Sequence, residues 1–388
     1  MPAAPDSFDL REIGIVDNHC HPVERVQGHR DVETWRRYFT ESEDSGPGNH
    51  LVVESAYYQR LLRAMAEYYD VEEDESAVLA ARAAFSTPEL VRRLFADASI
   101  SGVVVDLGYP SPEMSLAGDE FVAATNTDYG GLLRLELLFQ QRVSELATLK
   151  EVQEKIRDDV KDLRGAGFVG LKSIVGYRTG LEIERWSIDE VASSFADARR
   201  EVQETGSVRL GHKPLLDSLL HLALEQATHD ELPVQFHVGY GDHDVDLRTA
   251  SPLLLRSLME DPAYAALPIV LLHGCWPYFR EGAFLASIYP RVFLDISFGI
   301  PFLGALELSN ITQAVLGTAP FGKIMYSSDG ARVPEIFWLS AYDGRRILSS
   351  VLGEMVGEGD LGASKVLSVA EQILATNAQR LYGLGSIR

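Results

Sequence analysis

The stretch "IVDNHCHPV", residues 15–23, joins a short apolar run to two histidines that stand one residue apart. Successive side chains of a β-strand point to opposite faces, so His19 and His21 share one face if residues 15–21 form a strand. Both imidazoles then project from the carboxyl end of that strand. Two neutral imidazoles side by side are half of a typical metal site, although two unrelated surface histidines would give the same pattern.

Similar apolar runs, rich in β-branched residues and flanked by Gly or Pro, recur along the chain. Most of them are continuous rather than alternating, which is typical of strands buried on both faces. We predict eight strands from these runs, at residues 14–21, 101–110, 132–139, 167–175, 232–239, 267–274, 291–298 and 323–330.

Segments with helical spacing of apolar residues separate these runs, among them 143–167, 217–230, 250–261 and 281–290. Strand and helix in alternation predict an α/β protein, a (β/α)8 TIM barrel. An open doubly wound sheet is the alternative, but no G-x-G-x-x-G motif follows the first strand.

The connection between the first two strands, approximately residues 22–100, is far longer than an ordinary crossover and is rich in helical patterns. We predict a single domain, residues 1–388, in which this helical insertion follows strand 1 at the face where barrel loops build substrate pockets. A packed helical excursion that serves stability or a dimer interface is an equally good interpretation.

The composition limits the partners of the protein. The 388 residues include 57 acidic and 35 basic side chains, a net charge of −22, which disfavours nucleic acid and anionic membranes. The two cysteines, Cys20 and Cys275, cannot build a disulfide framework, which suits a reducing compartment. The N-terminus lacks signal-peptide features, and no apolar run approaches the roughly 18 residues of a membrane helix. We therefore expect a cytoplasmic protein.

Polar side chains stand at the carboxyl ends of five of the predicted strands. A polar group at the end of an apolar strand is costly unless it has a partner, so their convergence at one mouth of a barrel indicates a functional site. These residues are His19 and His21 on strand one, Lys172 on strand four, His237 on strand five, His273 on strand six and Asp329 on strand eight.

This order of residues resembles that of the amidohydrolase superfamily. The segments "DNHCHP", "GLKSIVGYRTGL", "FHVGYGDHDVDL" and "YSSDG" carry the resemblance, which spans residues 15 to about 385. It is closest to the amidohydrolase 2 branch, which includes the domain fused to glutamine synthetase in FluG-type and nodulin-type proteins.

The resemblance implies a divalent metal, Zn²⁺ or else Mn²⁺ or Fe, with one or two ions per chain. The implied ligands are His19, His21, Lys172, His237, His273 and Asp329. Such a metal lowers the pKa of its water from about 15.7 to about 7. Asp329 is then the catalytic proton acceptor, and His273 either binds a second metal or polarises the substrate carbonyl. A core histidine bonded to the backbone is the alternative for His273.

Three interpretations of Lys172 remain open. In binuclear members of the superfamily, the lysine at this strand is carbamylated and bridges two metals, and Lys172 occupies the matching position. A free ammonium group would instead hold a substrate carboxylate, or pair with a neighbouring acid as a structural element.

Residues near the predicted strand ends are candidates for substrate binding. Arginines near the mouth suit bidentate capture of a carboxylate. Arg134 and Glu136 share one face of the predicted third strand and can equally form a buried ion pair. The candidates are Asp106, Arg134, Glu136, Arg178, Asp242 and Arg332.

We therefore expect a metal-dependent amidohydrolase that cleaves a C–N bond in a small carboxylated substrate, with γ-glutamyl amides as one substrate class. A metal-dependent decarboxylase of the same branch is the alternative, although Lys172 argues against it. A non-catalytic binding module is a third interpretation, because a fold does not fix a function. A homodimer is expected for a protein of this size and class.

Overall fold

The computed structural model describes residues 8–25, 31–42, 47–116 and 118–385. In this part of the chain, eight strands follow one another in order within one sheet, and the registered pairs are parallel. The predicted (β/α)8 barrel is confirmed. The strands are β1 (Ile15–Cys20), β2 (Ile100–Asp106), β3 (Asp128–Arg134), β4 (Phe168–Ser173), β5 (Val234–Phe236), β6 (Ile269–Leu271), β7 (Val292–Ser297) and β8 (Ile324–Ser327).

Helices alternate with the strands, and side-chain caps begin several of them. Thr148 and Ser187, for example, each form a reciprocal capping box with a glutamate three residues later. The helices are α1 (Val32–Arg36), α2 (Ala56–Tyr69), α3 (Glu75–Ala83), α4 (Thr87–Asp97), α5 (Asp119–Thr125), α6 (Leu135–Glu145), α7 (Leu149–Asp159), α8 (Ile188–Thr205), α9 (Lys213–His229), α10 (Arg256–Glu260), α11 (Phe279–Ile288), α12 (Ala305–Leu316), α13 (Pro334–Glu358), α14 (Val366–Glu371) and α15 (Asn377–Tyr382).

The chain divides into two compact units. The first comprises the described residues up to Tyr129 together with those from Asp295 onward, and the second comprises Gly130–Leu294. Strands β1, β2 and β8 lie in the first unit, and β4, β5 and β6 lie in the second. Each unit has its own buried apolar side chains, such as Phe95 and Phe337 in the first and Leu171 and Phe236 in the second.

The segment between β1 and β2 holds helices α1 to α4, and two ion pairs attach it to α13 in the same unit. Arg82 Nε lies 2.6 Å from Glu335 Oε1, and Arg60 Nε lies 2.6 Å from Asp343 Oδ2. Breaking a buried pair by removing one partner typically costs about 3–5 kcal/mol. Residues 26–30 and 43–46 of the predicted insertion lie outside the described residues. The single-domain organisation remains a prediction.

Two boundaries differ from the sequence prediction. The third strand ends at Arg134, and the residues predicted to continue it form the first turns of α6, because Leu135, Leu138 and Phe139 bury one helical face. The long helix predicted at 143–167 is two helices, α6 and α7, since Leu146 is extended and Thr148 caps a new start.

Candidate metal centre

The first unit brings two histidines and an aspartate of the predicted site together. Asp329 follows β8 by two residues, and its backbone N–H donates to the carbonyl of His19 over 3.1 Å. Oδ1 of Asp329 lies 3.4 Å from Nε2 of His19 and 3.7 Å from Nε2 of His21. With Asp106, whose Oδ2 lies 3.9 Å from Nδ1 of His21, these residues form what we call the His–Asp cluster: His19, His21, Asp106 and Asp329.

The hydrogen bond of His21 indicates which ring nitrogen can accept a metal. Nδ1 of His21 lies 3.3 Å from the backbone carbonyl oxygen of Asp106. A carbonyl oxygen only accepts, so we assign the proton to Nδ1 and the lone pair to Nε2, the atom near Asp329. Metal-binding histidines commonly donate their second nitrogen in this way, which fixes the orientation of the ring.

A buried acid, Asp17, supports this cluster from within β1. Its side chain is fully buried, and its Oδ1 accepts from the backbone N–H groups of Ser328 (2.9 Å) and His19 (3.3 Å). Burial, helped by the negative charge of Asp295, raises the pKa of Asp17 to about 7 despite the lowering effect of these hydrogen bonds. Sequence reasoning missed Asp17, although an acid inside an apolar strand is itself a signal.

The second unit brings together the other two predicted histidine ligands, which we call the histidine pair: His237 and His273. Nε2 of His273 lies 2.9 Å from Nδ1 of His237, and the ring centroids are 4.4 Å apart. Both side chains are buried. Tyr177 and Tyr240 flank the pair, with ring centroids 4.6 Å from His237 and 5.1 Å from His273, respectively.

The backbone after β5 orients the ring of His237. Its Nε2 lies 2.5 Å from the carbonyl oxygen of Tyr240, so Nε2 carries the proton and Nδ1 carries the lone pair. Gly239 makes this turn feasible, because its φ is +79° and a Cβ there would stand 2.0 Å from the carbonyl oxygen of Trp276. The Nδ1 atom of His237 therefore faces His273 in the form that can bind a proton or a metal.

Lys172 lies at the end of β4 in the second unit and is 1% exposed. The strand registers place it opposite Arg134 on β3 and opposite Gln235 on β5. A lysine at this depth is unusual, because burial penalises the ammonium form unless charge or hydrogen bonds compensate. This placement is compatible with each of the three interpretations of Lys172.

The prediction that Glu136 shares a strand face with Arg134 is wrong. Glu136 lies in the first turn of α6. Its side chain is fully buried, and Oε1 accepts from the hydroxyl of Ser173 over 2.7 Å. Among the described residues, Oε2 has no hydrogen-bond partner. Burial raises the pKa of Glu136, opposed by its hydrogen bonds and by the charge of Arg134.

The remaining substrate candidates of the second unit have different surroundings. Arg178 is partly buried, its Nη1 donates to the carbonyl of Tyr177 over 3.5 Å, and its Nε has no hydrogen-bond partner among the described residues. Burial lowers the pKa of Arg178, and the positive charges of Arg209 and Arg134 lower it further. Asp242 instead stabilises a turn, since its Oδ1 accepts from the backbone N–H of Asp244 over 2.9 Å.

Two candidates of the first unit are already engaged in side-chain contacts. Arg332 Nε donates to Glu24 Oε1 over 2.7 Å, and its guanidinium carbon lies 4.7 Å from the centroid of the Tyr38 ring. Tyr38 also donates to Oε2 of Glu24 over 2.9 Å. Asp106 is fully buried beside His21, and its Oδ1 accepts from the N–H of Gly108. Asp106 is therefore placed to orient His21.

The residues of the His–Asp cluster fit a divalent metal. The donor set combines imidazole nitrogens with a carboxylate, which suits Zn²⁺, Mn²⁺ and Fe²⁺. The Nε2 atoms of His19 and His21 both face the same carboxylate oxygen, and a backbone carbonyl fixes the protonation of His21. The cluster thus has both the ligand atoms and the outer hydrogen bond that a metal site needs.

Comparison with known proteins gives the family. A family model described as amidohydrolase matches residues 184–384, which is more than half of the chain. The chain belongs to the amidohydrolase family. This result confirms the resemblance that the sequence motifs indicated.

A curated relative matches part of the chain. FluG of Emericella nidulans is 32% identical over 223 residues, which is 56% of this chain and 26% of FluG. The chain therefore spans about a quarter of the length of that relative.

Solved structures share the fold over nearly the whole chain. A protein of Lactobacillus casei, provisionally described as a metal-dependent hydrolase, is 26% identical, with a TM-score of 0.86 and 98% of each chain covered. The uronate isomerase of Thermotoga maritima is 13% identical, with a TM-score of 0.70 over 96% of this chain and 95% of that one. At this low identity, the similarity to the uronate isomerase concerns the fold alone.

In the described residues, none of the helices has the length and apolar character required to cross a bilayer.

Proposed function

We propose that this amidohydrolase is a metal-dependent enzyme that hydrolyses a C–N bond, the amide bond of a small carboxylated molecule. The carrying observation is that Nε2 of His19 and Nε2 of His21 face one oxygen of Asp329, at 3.4 and 3.7 Å. Family membership supports a metal-dependent hydrolase. The choice of an amide as the substrate rests on the motif resemblance.

A divalent metal, for which we propose Zn²⁺, would supply Lewis acidity and bring the pKa of water to about 7 when it is bound by His19, His21 and Asp329. In hydrolysis, a C–O bond forms from water to the carbonyl carbon and the C–N bond breaks. Asp329 accepts the proton of the attacking water and delivers it to the departing nitrogen.

We propose that His237 is a metal ligand through Nδ1, the nitrogen left with a lone pair by the hydrogen bond to Tyr240, in exchange for its 2.9 Å contact with Nε2 of His273. His273 then polarises the substrate carbonyl or binds a second metal. Lys172 would be the bridging ligand if it is carbamylated, and its buried place at the end of β4 is compatible with that role. Metal analysis with anomalous diffraction would count the ions and reveal a carbamate.

The proposed carboxylate of the substrate needs a cationic site, and Arg178 is the best candidate. Its Nε is buried without a hydrogen-bond partner among the described residues. A carboxylate would satisfy the guanidinium with charge-assisted hydrogen bonds. Arg134 and Glu136 are further candidates for substrate binding. Asp106, Asp242 and Arg332 are also candidates, but each already contacts another protein group and would have to share that contact with the substrate.

The test of this function is turnover of a panel of amides after the metal-free protein has been reloaded with Zn²⁺ or Mn²⁺. The panel pairs γ-glutamyl amides with matched amides that lack the carboxylate. We expect release of glutamate and amine, abolished by a chelator and restored by metal. No turnover of any γ-glutamyl amide would remove that substrate class, and release of CO₂ from a carboxylated substrate would establish the decarboxylase alternative.

We also propose that the protein is a cytoplasmic homodimer. The two cysteines, Cys20 and Cys275, are free and buried, which suits a reducing compartment. Sedimentation analysis at several protein concentrations gives the oligomeric state directly, and a monomer at all concentrations would contradict the homodimer.

A further inference from the structure

The backbone of Asp329 has a conformation that is uncommon for residues other than glycine. Its φ is +51°, in the left-handed region, where a side chain other than that of glycine is disfavoured. Such residues persist only when their surroundings hold them in place. The neighbours that hold Asp329 therefore determine where its carboxylate points.

The carboxylate of Asp17 ties the ends of β1 and β8 together. Its Oδ1 accepts from the N–H of Ser328 over 2.9 Å and from the N–H of His19 over 3.3 Å, while its Oδ2 accepts from the hydroxyl of Ser328. All three side chains are fully buried. One acid thus contacts the backbone of a histidine of the His–Asp cluster and the residue immediately before Asp329.

The hydroxyl of Ser328 extends this connection to the other side of Asp329. It donates to Asp17 and accepts from the backbone N–H of Gly330 over 2.8 Å, so it spans the strained residue. Asp329 itself donates its N–H to the carbonyl of His19 over 3.1 Å. The backbone around Asp329 is therefore fixed on both sides by groups bonded to Asp17 or to β1.

We propose that Asp17 and Ser328 are positioning residues that hold Asp329 in its strained conformation and aim its carboxylate at His19 and His21. This inference rests on the proposed function, since it assigns to these two residues an effect on the metal that the His–Asp cluster would bind. Neither residue touches the metal or the substrate. They act through the backbone of residues 327–330, whose course decides the place of Oδ1.

A purely structural role is the competing interpretation, because any buried hydrogen bond contributes to stability. The two roles differ in what a variant changes. A structural role predicts a loss of folding stability with unchanged metal affinity in the protein that still folds. A positioning role predicts weaker metal binding and a displaced Asp329 carboxylate, in addition to any loss of stability.

The experiment compares Ser328→Ala, Asp17→Asn and the double variant with the wild type. Ser340→Ala is the matched control, because Ser340 is also fully buried and its hydroxyl donates to a backbone carbonyl, that of Ile336, within α13. Affinity for Zn²⁺ is measured by chelator competition, and the absorption spectrum of the Co²⁺-loaded protein reports the ligand geometry. Thermal unfolding of the metal-free proteins checks that each variant folds.

We expect Ser328→Ala to weaken Zn²⁺ binding by about 10- to 100-fold, the usual effect of removing an outer hydrogen-bond partner, and to alter the Co²⁺ spectrum. The double variant should bind Zn²⁺ only slightly less tightly than the single variant with the lower affinity, because both changes break the same connection. Ser340→Ala should keep the wild-type affinity and spectrum. Wild-type affinity and spectrum in both single variants would overturn the inference.

Crystal structures of the metal-free wild type and of Ser328→Ala separate this inference from the proposed function. Displacement of Asp329 Oδ1 away from His19 Nε2, which are 3.4 Å apart here, supports the positioning role whether or not metal binds. An unmoved carboxylate overturns it. A wild type that binds neither Zn²⁺, Mn²⁺ nor Co²⁺ would refute the proposed function, and the crystal structures would still decide the positioning role.

Discussion

In the His–Asp cluster the imidazoles of His19 and His21 face the carboxylate of Asp329, whereas in the histidine pair the imidazole of His273 faces that of His237. Each group uses a backbone carbonyl to fix one ring, that of Asp106 for His21 and that of Tyr240 for His237. The carboxylate gives the cluster negative charge, which a cation needs. The hydrogen bond between the two imidazoles of the pair suits proton handling and polarisation of a carbonyl.

The largest effect should come from the His–Asp cluster. His21→Ala removes a ligand atom, so we expect weak metal binding and a fall in kcat of about 10³-fold or more, since a metal supplies several kcal/mol of transition-state stabilisation and each 1.36 kcal/mol is tenfold. Metal content and kcat are measured on the same preparation. The control is His221→Ala, which removes a buried histidine that is bonded to the Tyr264 hydroxyl over 2.6 Å and lies outside both groups. Full metal content in His21→Ala would contradict the metal assignment.

The histidine pair should respond differently. We expect His273→Ala to lower kcat by about 10²-fold, the lower range for loss of a positioned acid, base or polarising group, with metal affinity reduced by less than tenfold. His237→Ala should reduce metal affinity more than His273→Ala does. If His273→Ala instead removes one of two bound metals, His273 is a ligand of a second ion, and the contrast between the cluster and the pair disappears.

Arg178 tests the substrate side of the second unit. Arg178→Ala should raise KM for carboxylated amides by about 10- to 100-fold with a small change in kcat, because a hydrogen bond to a charged group contributes about 1.5–3 kcal/mol. Matched amides without a carboxylate should show no such change. Arg248→Ala, which removes an exposed arginine paired with Asp246, serves as the control. Equal effects on both amide series would exclude a carboxylate-binding role.

The smallest effect concerns stability and pH. Because burial raises the pKa of Glu136, its neutral form stabilises the folded state fully below the unfolded-state pKa, near 4.5, and that stabilisation is lost as the pH rises through the folded-state pKa. Glu136→Gln stays neutral and keeps an acceptor for Ser173. The variant should therefore gain stability relative to the wild type, seen as a higher Tm, as the pH rises above 4.5. A Tm difference that does not change with pH would contradict a buried, raised-pKa carboxyl.

The sequence predicted the strand ends better than it predicted the environment of individual residues. His19, His237 and His273 follow apolar runs whose continuity indicates buried strands, so their places at carboxyl ends could be foreseen. Glu136 was misplaced because "LLRLELLF" suits a strand and a helix face equally, and short apolar runs do not distinguish the two. The tertiary packing of α6 decided in favour of the helix.

By itself, the sequence determined the alternating strands and helices, the family and the chemical types of the candidate ligands, because these depend on local patterns and on motifs read along the chain. The tertiary structure decided which nitrogen of His21 and of His237 carries the lone pair, and which residues hold Asp329. Those facts depend on contacts such as that of Asp17 with Ser328, which are 311 residues apart. Hydrogen bonds between such distant residues leave no periodic signal, since only the folded chain brings the donor to the acceptor.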